Sequence, residues 1–450
     1  MRMQLINKHN SLKNSANDSK RISLKSKLAI AATGLLSATA TETIANEATD
    51  EGWYFSASVL AYSETDRVSA VEVIFNAETT IDETGKLNIK FVLDSLTGAS
   101  ANGAITQNTL QTFSRPSGNG QYNIAAGTTP LDDTFKDTRA QLNLSWSNLL
   151  SPESDYQYTL GTNISKEYDF QSISLSAELA KGFNQKNTTI SGGFSVAAEE
   201  YNPKGSTPIG LTSMAIRDNY PTEDVYDLAF DATRGSTSEA INSAELLLGW
   251  TQVVNRSTLM QFNYGYADKS GYLTDPFKIV SVVNASGITQ DYIYENRPES
   301  RTQHSLFGLV KKHLNESIID FSYRFTSDDW EIDTHTLDLH WKLFADGGSF
   351  WEPHVRFYQQ SAADFYSTYL DQSEEVPPFI SADYRIGEMS SITLGLKYGF
   401  EVNKDQRAEV RLEYYRQTPK SVGTERVAGL ENLDLYPELD AVYLQVNYYF

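Results

Sequence analysis

Two histidines stand where a tight turn would bring them together. His340 and His354 flank the turn-forming segment 346–348, Asp-Gly-Gly, and a hairpin closed there pairs one imidazole with the other, beside Asp338 and Glu352. Imidazoles and carboxylates this close could hold a divalent metal or act as an acid/base pair. The alternative is an ordinary polar wall whose charges balance. We expect that alternative, and we predict no metal and no cofactor.

The sequence contains no recognisable catalytic motif. The sequence contains no nucleophile elbow, zincin helix, Walker loop or dinucleotide fingerprint. It also contains no cysteine, which excludes thiol catalysis, a disulfide scaffold and a lipobox anchor. We predict that the chain is not an enzyme, and a hydrolase site among the histidines stays open as an alternative.

The elements that must position these side chains are β-strands. Apolar and polar residues alternate in one segment after another, which is typical of strands with one apolar face and one polar face. No uncharged apolar run long enough for a membrane-spanning helix follows Ala40. The sixteen alternating segments are 52–62, 67–78, 86–94, 138–148, 156–165, 171–181, 188–199, 243–253, 257–266, 304–311, 317–325, 334–344, 350–359, 388–400, 407–416 and 440–450.

This pattern predicts an all-β fold, a transmembrane antiparallel up-and-down β-barrel of about 16 strands, give or take about two. Short and long connectors alternate, as they do in such barrels. A secreted β-propeller or solenoid is the alternative, but a repeating sequence motif is missing. The long connectors, predicted outside the cell, are 95–137, 200–242, 267–303, 360–387 and 417–439, and the short ones, predicted in the periplasm, are 148–155, 184–187, 254–256, 312–316, 345–349 and 402–406.

The polar face of the strands should line the lumen. Lipid would penalise a mid-bilayer Arg or Lys by roughly 2–4 kcal/mol, so these charges are expected to face water inside a bore wide enough for a channel. The pore-lining candidates are Arg139, Asp320, Arg324, Lys342, Arg356, Lys397, Arg407, Glu409, Arg411 and Glu413.

The two chain ends indicate export and barrel assembly. Residues 1–40 are basic and then apolar, as in a secretory signal peptide, with cleavage predicted after Ala40 or, as second choice, after Ala45. Residues 41–51 are then a short periplasmic segment, and 52–450 the barrel. The C-terminal strand ends on Phe450 with Tyr448, Val446 and Leu444 at every second position, which resembles the signal read by the barrel-assembly machinery.

The net charge of the chain limits the kinds of molecule that it can bind. A formal net charge of −21 makes nucleic acid an unsuitable partner. We predict outer-membrane lipid and lipopolysaccharide around the barrel, and divalent cations near acidic loop residues, without a dedicated calcium loop. The acidic loop residues are Asp132, Asp133, Asp218, Glu223, Asp224, Asp227, Asp231, Asp328, Asp329, Glu374 and Glu375.

Several loop segments resemble a family of Gram-negative outer-membrane proteins known only as a domain of unknown function. They are Gly52-Trp-Tyr54, Asp94-Ser-Leu-Thr-Gly-Ala-Ser100, Asn102-Gly-Ala104, Pro130-Leu-Asp-Asp-Thr-Phe135, Gly271-Tyr-Leu-Thr-Asp-Pro276, Ser300-Arg-Thr302 and Gln360-Ser-Ala-Ala-Asp-Phe-Tyr366. The resemblance implies a barrel and no settled activity. Its association with periplasmic thioredoxin-like and flavin-transferring proteins gives one rival function, a scaffold that docks a redox partner. We expect a porin-like channel or passive conduit for a small solute.

Overall fold

A computed structural model describes residues 52–82, 84–420, 427, 430, 435 and 438–450. The predicted signal peptide, its cleavage sites and the segment 41–51 lie outside the described residues. Within the described part, no helix is long and apolar enough to cross a membrane.

Sixteen strands form one closed antiparallel barrel, in which the first strand pairs with the last. Every predicted segment corresponds to one barrel strand, so the predicted fold is confirmed. The barrel strands are β1 (Trp53–Glu64), β2 (Val68–Thr80), β3 (Lys86–Ala101), β6 (Leu131–Leu149), β7 (Tyr156–Lys166), β8 (Phe170–Phe183), β9 (Thr188–Tyr201), β10 (Glu239–Asn255), β11 (Thr258–Gly271), β14 (Ser300–Leu314), β15 (Ser317–Asp328), β16 (Asp333–Phe344), β17 (Phe350–Gln360), β19 (Met389–Asn403), β20 (Gln406–Pro419) and β21 (Leu439–Tyr449).

The alternation of the sequence becomes the two faces of the wall. Leu396 and Leu444 are each 44% exposed on the outer face, whereas Glu413 points inward and is buried. Exposed apolar side chains cover the outer face of many strands, and so large an apolar surface matches a lipid environment, because soluble proteins rarely expose one. The barrel is therefore of the outer-membrane type.

The C-terminal residue takes part in closing the barrel. Phe450 donates its backbone N–H to the Phe55 carbonyl and accepts one from the Phe55 N–H, both at 2.9 Å. The two rings also stack, with centroids 5.8 Å apart. Aromatic stacking and backbone hydrogen bonds therefore both stabilise the pairing of β1 with β21 that closes the barrel.

The described ends of all five predicted long connectors lie at the same end of the barrel, and the six predicted short connectors lie at the other end. Three further short turns, 65–67, 167–169 and 329–332, lie at the long-connector end. Most of the connector 417–439 lies outside the described residues. Several strands extend further into the long-loop end than predicted: β3 continues to Ala101 and β6 starts at Leu131. Their backbones stay paired there, with Ser100 opposite Asp132. The sequence pattern fades earlier because the residues beyond position 94 no longer alternate between apolar and polar.

The long connectors contain structure that the sequence analysis did not predict. A hairpin of β4 (Gln111–Ser114) and β5 (Gln121–Ile124) and a three-stranded sheet of β12 (Ile279–Val283), β13 (Thr289–Tyr294) and β18 (Leu370–Asp371) lie among them. A short helix, α1 (Glu223–Asp231), begins after Thr222, whose hydroxyl accepts the Val225 N–H. Such caps satisfy the free amides of a helix start. The helix buries Tyr226 and Phe230.

Candidate functional site: the charged lumen beneath a loop cap

The long connectors pack into one body, which we call the cap: residues 102–130, 202–238, 272–299 and 361–388. Its apolar core joins different connectors, for example Phe113 with Tyr294 and, in a neighbouring cluster, Val280 with Leu370. Backbone hydrogen bonds cross between them as well, such as Asn296 with Ile380 at 3.0 Å. Because each connector lends apolar side chains to a shared core, the cap is a folded layer rather than a set of free loops.

The cap crosses the mouth of the barrel. Its 272–299 segment connects β11 with β14, yet Ile279 N–H bonds the Asn102 carbonyl at 2.9 Å and the Lys278 ammonium donates to the Ala101 carbonyl at the end of β3. Five strands separate β3 from β11 around the ring. The connector therefore reaches from one wall toward the opposite one.

A buried ionic cluster, which we call the hub, lies inside the cap. It consists of Asp275, Glu295, Arg297, Asp383 and Arg385. The Arg297 guanidinium lies 2.6 Å from Glu295 Oε1 and 2.7 Å from Asp383 Oδ2. Arg385 donates to Asp275 Oδ2 at 2.5 Å and also to Asp383. Glu295 and Asp383 have 0% exposed surface, so these pairs join the 272–299 and 361–388 connectors away from bulk solvent.

Because the hub is buried, its charged groups are stable only while they pair with one another. Burial raises the pKa of Glu295 and lowers the pKa of nearby Lys278, since a charged group is less stable away from water. Burial also acts to raise the pKa of Asp383, but the Arg385 and Arg297 guanidiniums hold it well below its usual range. Removing one partner of such a buried pair costs roughly 3–5 kcal/mol, because the other charge is left uncompensated.

The contact between cap and wall is tight in one sector. A cavity of about 30 Å³ is lined by Lys278, Asp383 and Tyr384 on the cap side and by Arg67 and Gln417 on the wall side. That volume holds on the order of two water molecules. In this sector the described cap and wall side chains therefore lie close together around a small gap.

Below the cap, the lumen wall is ionic and wet. Side chains that face inward there keep contact with solvent, since Arg356 is 52% exposed, Lys311 38% and His340 32%. The ten pore-lining candidates all occupy inward-facing strand positions, namely Arg139, Asp320, Arg324, Lys342, Arg356, Lys397, Arg407, Glu409, Arg411 and Glu413.

Many wall charges pair across strands. Arg139 on β6 lies 2.5 Å from Asp94 on β3 and 3.4 Å from Glu72 on β2. Lys311 and Asp320 form a similar pair at 3.2 Å between β14 and β15. Opposite charges on neighbouring strands stabilise the wall and leave it polar.

The two histidines meet on this wall. The β16–β17 hairpin pairs residue 340 with residue 354, as the Asp-Gly-Gly turn predicts. The imidazole rings of His340 and His354 stack in parallel, with centroids 4.1 Å apart and planes 5° apart. One nitrogen of each ring faces Asp338, at 2.9 Å from His340 Nε2 and 3.4 Å from His354 Nε2. The predicted juxtaposition of His340, His354 and Asp338 is therefore present.

The other nitrogen of each ring faces a glutamate. His340 Nδ1 lies 3.2 Å from Glu352 Oε1, and His354 Nδ1 lies 2.8 Å from Glu413 Oε1. Glu413 was predicted only as a lumen residue, because it lies on β20 and β19 runs between it and His354. The residue between them on β19 is Gly395, and a Cβ there would lie 2.8 Å from the Glu413 side chain. Because Gly395 has no side chain, Glu413 can reach His354 across β19.

Three basic groups balance the three carboxylates of this set. Arg356 donates to Asp338, Lys397 lies 2.9 Å from Glu352, and Arg411 lies 3.5 Å from Glu413. The histidine site is thus embedded in a network of three acidic and three basic side chains.

Some acidic loop residues are bound to basic partners. Asp328 pairs with Arg301, and Glu223 lies 2.5 Å from Arg217. Asp132 is buried at the start of β6. The acidic residues proposed for surface cations therefore do not act as one group.

Comparison with known families decides the relationship of the chain. Residues 25–450 match the model of a family described as protein of unknown function, DUF3570. The chain belongs to this family. The resemblance drawn from the loop segments is thereby confirmed, and the family description states no activity. No curated protein matches the sequence.

Three solved structures are similar to this chain at low identity. The siderophore receptor PirA from Acinetobacter baumannii has a TM-score of 0.42 and 8% identity, over 85% of this chain and 55% of the receptor. The CymD monoaromatic hydrocarbon channel has a TM-score of 0.39 and 7% identity, over 89% of this chain and 88% of the channel. The outer membrane protein opdK from Pseudomonas aeruginosa has a TM-score of 0.37 and 8% identity, over 88% of this chain and 98% of opdK. The chain thus spans a little over half the length of the receptor.

Proposed function

We propose that the protein is a passive outer-membrane conduit for a small polar solute, and that its cap gates the bore. The observation that carries this proposal is the combination of a wet, charged lumen wall with a packed cap across its mouth. Inward-facing charged side chains such as Arg356, which is 52% exposed, would meet any ion or solute that enters the bore. Fixed charges in a narrow aqueous bore bias the ions and solutes that enter it.

The cap supplies the gate in this proposal. The tight sector between cap and wall leaves room for about two waters, so passage through this sector would require the cap to loosen. Its hub joins two connectors through buried charge pairs, and such pairs have two discrete states, formed or broken. A solute or ion that competes for Arg297 or Arg385 would favour the open state.

The histidine site favours ligand chemistry over a serine-type hydrolase. Both imidazoles have carboxylates as partners on both nitrogens, whereas activation of a serine or threonine nucleophile needs its hydroxyl beside the base. The proposal also includes the partners expected from the sequence: lipid and lipopolysaccharide around the apolar outer face, and the assembly machinery at Leu444, Val446, Tyr448 and Phe450.

Conduction by a barrel without its central connector tests this function. Residues 273–297 would be replaced by a short Gly-Ser linker, and the folded protein would be measured in planar bilayers. We expect stable channels with a higher conductance than the intact protein. A barrel that folds, loses this connector and still passes no ions would reject the conduit and favour a scaffold.

A further inference from the structure

We propose that Asp338, His340 and His354 form a binding site for a divalent transition metal of the Zn²⁺ class in the lumen wall. One ligand atom from each of the three residues lies within 4.8 Å of the other two. The inference rests on this geometry and does not depend on conduction, so it can fail or succeed separately from the proposed function.

The ring nitrogens of His340 and His354 face carboxylates on both sides. A neutral imidazole has one N–H and one lone pair, so it can donate to only one of its two carboxylate neighbours. If Nδ1–H of each ring donates to its glutamate, Glu352 or Glu413, then each Nε2 lone pair faces the Asp338 carboxylate. The two Nε2 atoms lie 2.9 and 3.4 Å from the Asp338 oxygens, so the three side chains present their remaining ligand atoms to one place.

A shared divalent ion requires the two rings to turn. The rings stack with centroids 4.1 Å apart and planes 5° apart, so their Nε2 lone pairs lie in nearly parallel planes. Rotation about the Cβ–Cγ bonds would point both lone pairs at one ion, which His340 Nε2, His354 Nε2 and an Asp338 oxygen would then share.

The surrounding groups match what a metal site requires. Histidine ligands in proteins usually donate their second N–H to a carboxylate, which fixes the tautomer and the ring orientation. Glu352 and Glu413 hold these positions, and Gly395 leaves the space through which Glu413 reaches His354. Arg356 contacts Asp338 Oδ2, so Oδ1 is the oxygen that we assign to the metal.

The donor set also selects the metal. Two imidazoles and one carboxylate suit Zn²⁺, Cu²⁺ or Ni²⁺, whereas Mg²⁺ and Ca²⁺ prefer sites made of oxygen ligands. The exposed part of His340 faces the wet lumen, which gives an ion a route to the site. The remaining coordination positions would hold water or a solute.

Zinc binding by the folded full-length barrel tests the site. The detergent-folded protein would be titrated with Zn²⁺ against a chromophoric chelator, and Co²⁺ would report coordination through its visible absorption. We expect one high-affinity equivalent that is not displaced by millimolar Mg²⁺ or Ca²⁺, and at least about a 100-fold loss of affinity in His340→Ala and His354→Ala. His313→Ala, in the exposed short-turn end, is the matched control and should bind like the wild type.

A conservative variant protects the test against misfolding. Glu413→Gln keeps the size of the side chain and should weaken zinc binding by roughly 10–100-fold through the His354 ring, as loss of a supporting partner does in other sites. Folding is checked by the heat-dependent gel mobility of closed barrels. Stoichiometric binding that survives in His340→Ala and His354→Ala, or a folded wild type that retains no equivalent of zinc, would overturn the proposal.

Discussion

His354 and Glu413 contact each other across a strand that lies between them: His354 Nδ1 is 2.8 Å from Glu413 Oε1, and Gly395 occupies the position on the intervening strand. A side chain at that position would stand in the way. The contact therefore depends on the barrel register of three strands together, and it links the histidine site to the part of the wall that carries Arg411.

Gly395→Ala should separate these two residues. The new Cβ would lie 2.8 Å from the Glu413 side chain, whose flexible carboxylate can move away from His354. We expect a folded barrel whose zinc affinity falls by roughly 10–100-fold. Gly308→Ala is the control, because a Cβ there meets only an ordinary contact at 3.5 Å from the Phe262 ring. Equal zinc affinity in both variants would show that the glycine has no positioning role.

Leu396→Arg should impair insertion of the barrel. Leu396 is 44% exposed on the apolar outer face, and an arginine at mid-bilayer costs roughly 2–4 kcal/mol. The measurement is the fraction of folded, heat-modifiable protein in the outer membrane. Gln261→Arg places the same charge on the inward face of β11 and should insert normally. Equal yields of the two variants would contradict the assignment of the faces.

Arg324→Glu and Arg411→Glu should shift ion selectivity toward cations. Both residues face the lumen, where a fixed negative charge raises the local concentration of cations. Reversal potentials in a salt gradient would measure the shift, in a barrel whose residues 273–297 have been replaced. Arg256→Glu lies in an exposed turn and should change the reversal potential much less. Unchanged selectivity in the lumen variants would mean that ions do not pass these residues.

Thr237→Cys and Gln185→Cys should label from opposite sides of the membrane. Thr237 is exposed at the long-loop end, and Gln185 is exposed at the short-turn end. The chain has no other cysteine, so each variant carries one target. On intact cells we expect an impermeant thiol reagent to modify the cysteine at position 237 and to spare the one at position 185. The reverse pattern would invert the proposed orientation.

The sequence predicts the barrel wall because lipid and water impose alternation on every strand. Leu394 and Leu396 point outward and Lys397 inward, and that pattern can be read without a structure. The hairpin that pairs His340 with His354 is predictable for a similar reason, since the turn is short and contains two glycines. These are local rules of period and turn length.

The cap and the His354–Glu413 contact could not be predicted in the same way. Arg297 and Asp383 lie in different connectors, and no periodic pattern marks them as partners. Asp275 lies within the family-like segment 271–276, so the resemblance marks one residue of the hub. It does not show that Asp275 pairs with Arg385. Gly395 was a second available signal, because a glycine inside a strand indicates a close approach.

Single-channel recording of the wild type and of Arg297→Met tests the gated conduit most directly. Methionine removes the guanidinium that pairs with Glu295 and Asp383, so the hub loses a buried charge and the cap should loosen. We predict that the wild type conducts in rare, brief openings and that Arg297→Met stays open for most of the recording, while Lys204→Met, an exposed cap residue, behaves like the wild type. Folded wild type and Arg297→Met proteins that both remain silent would contradict the account.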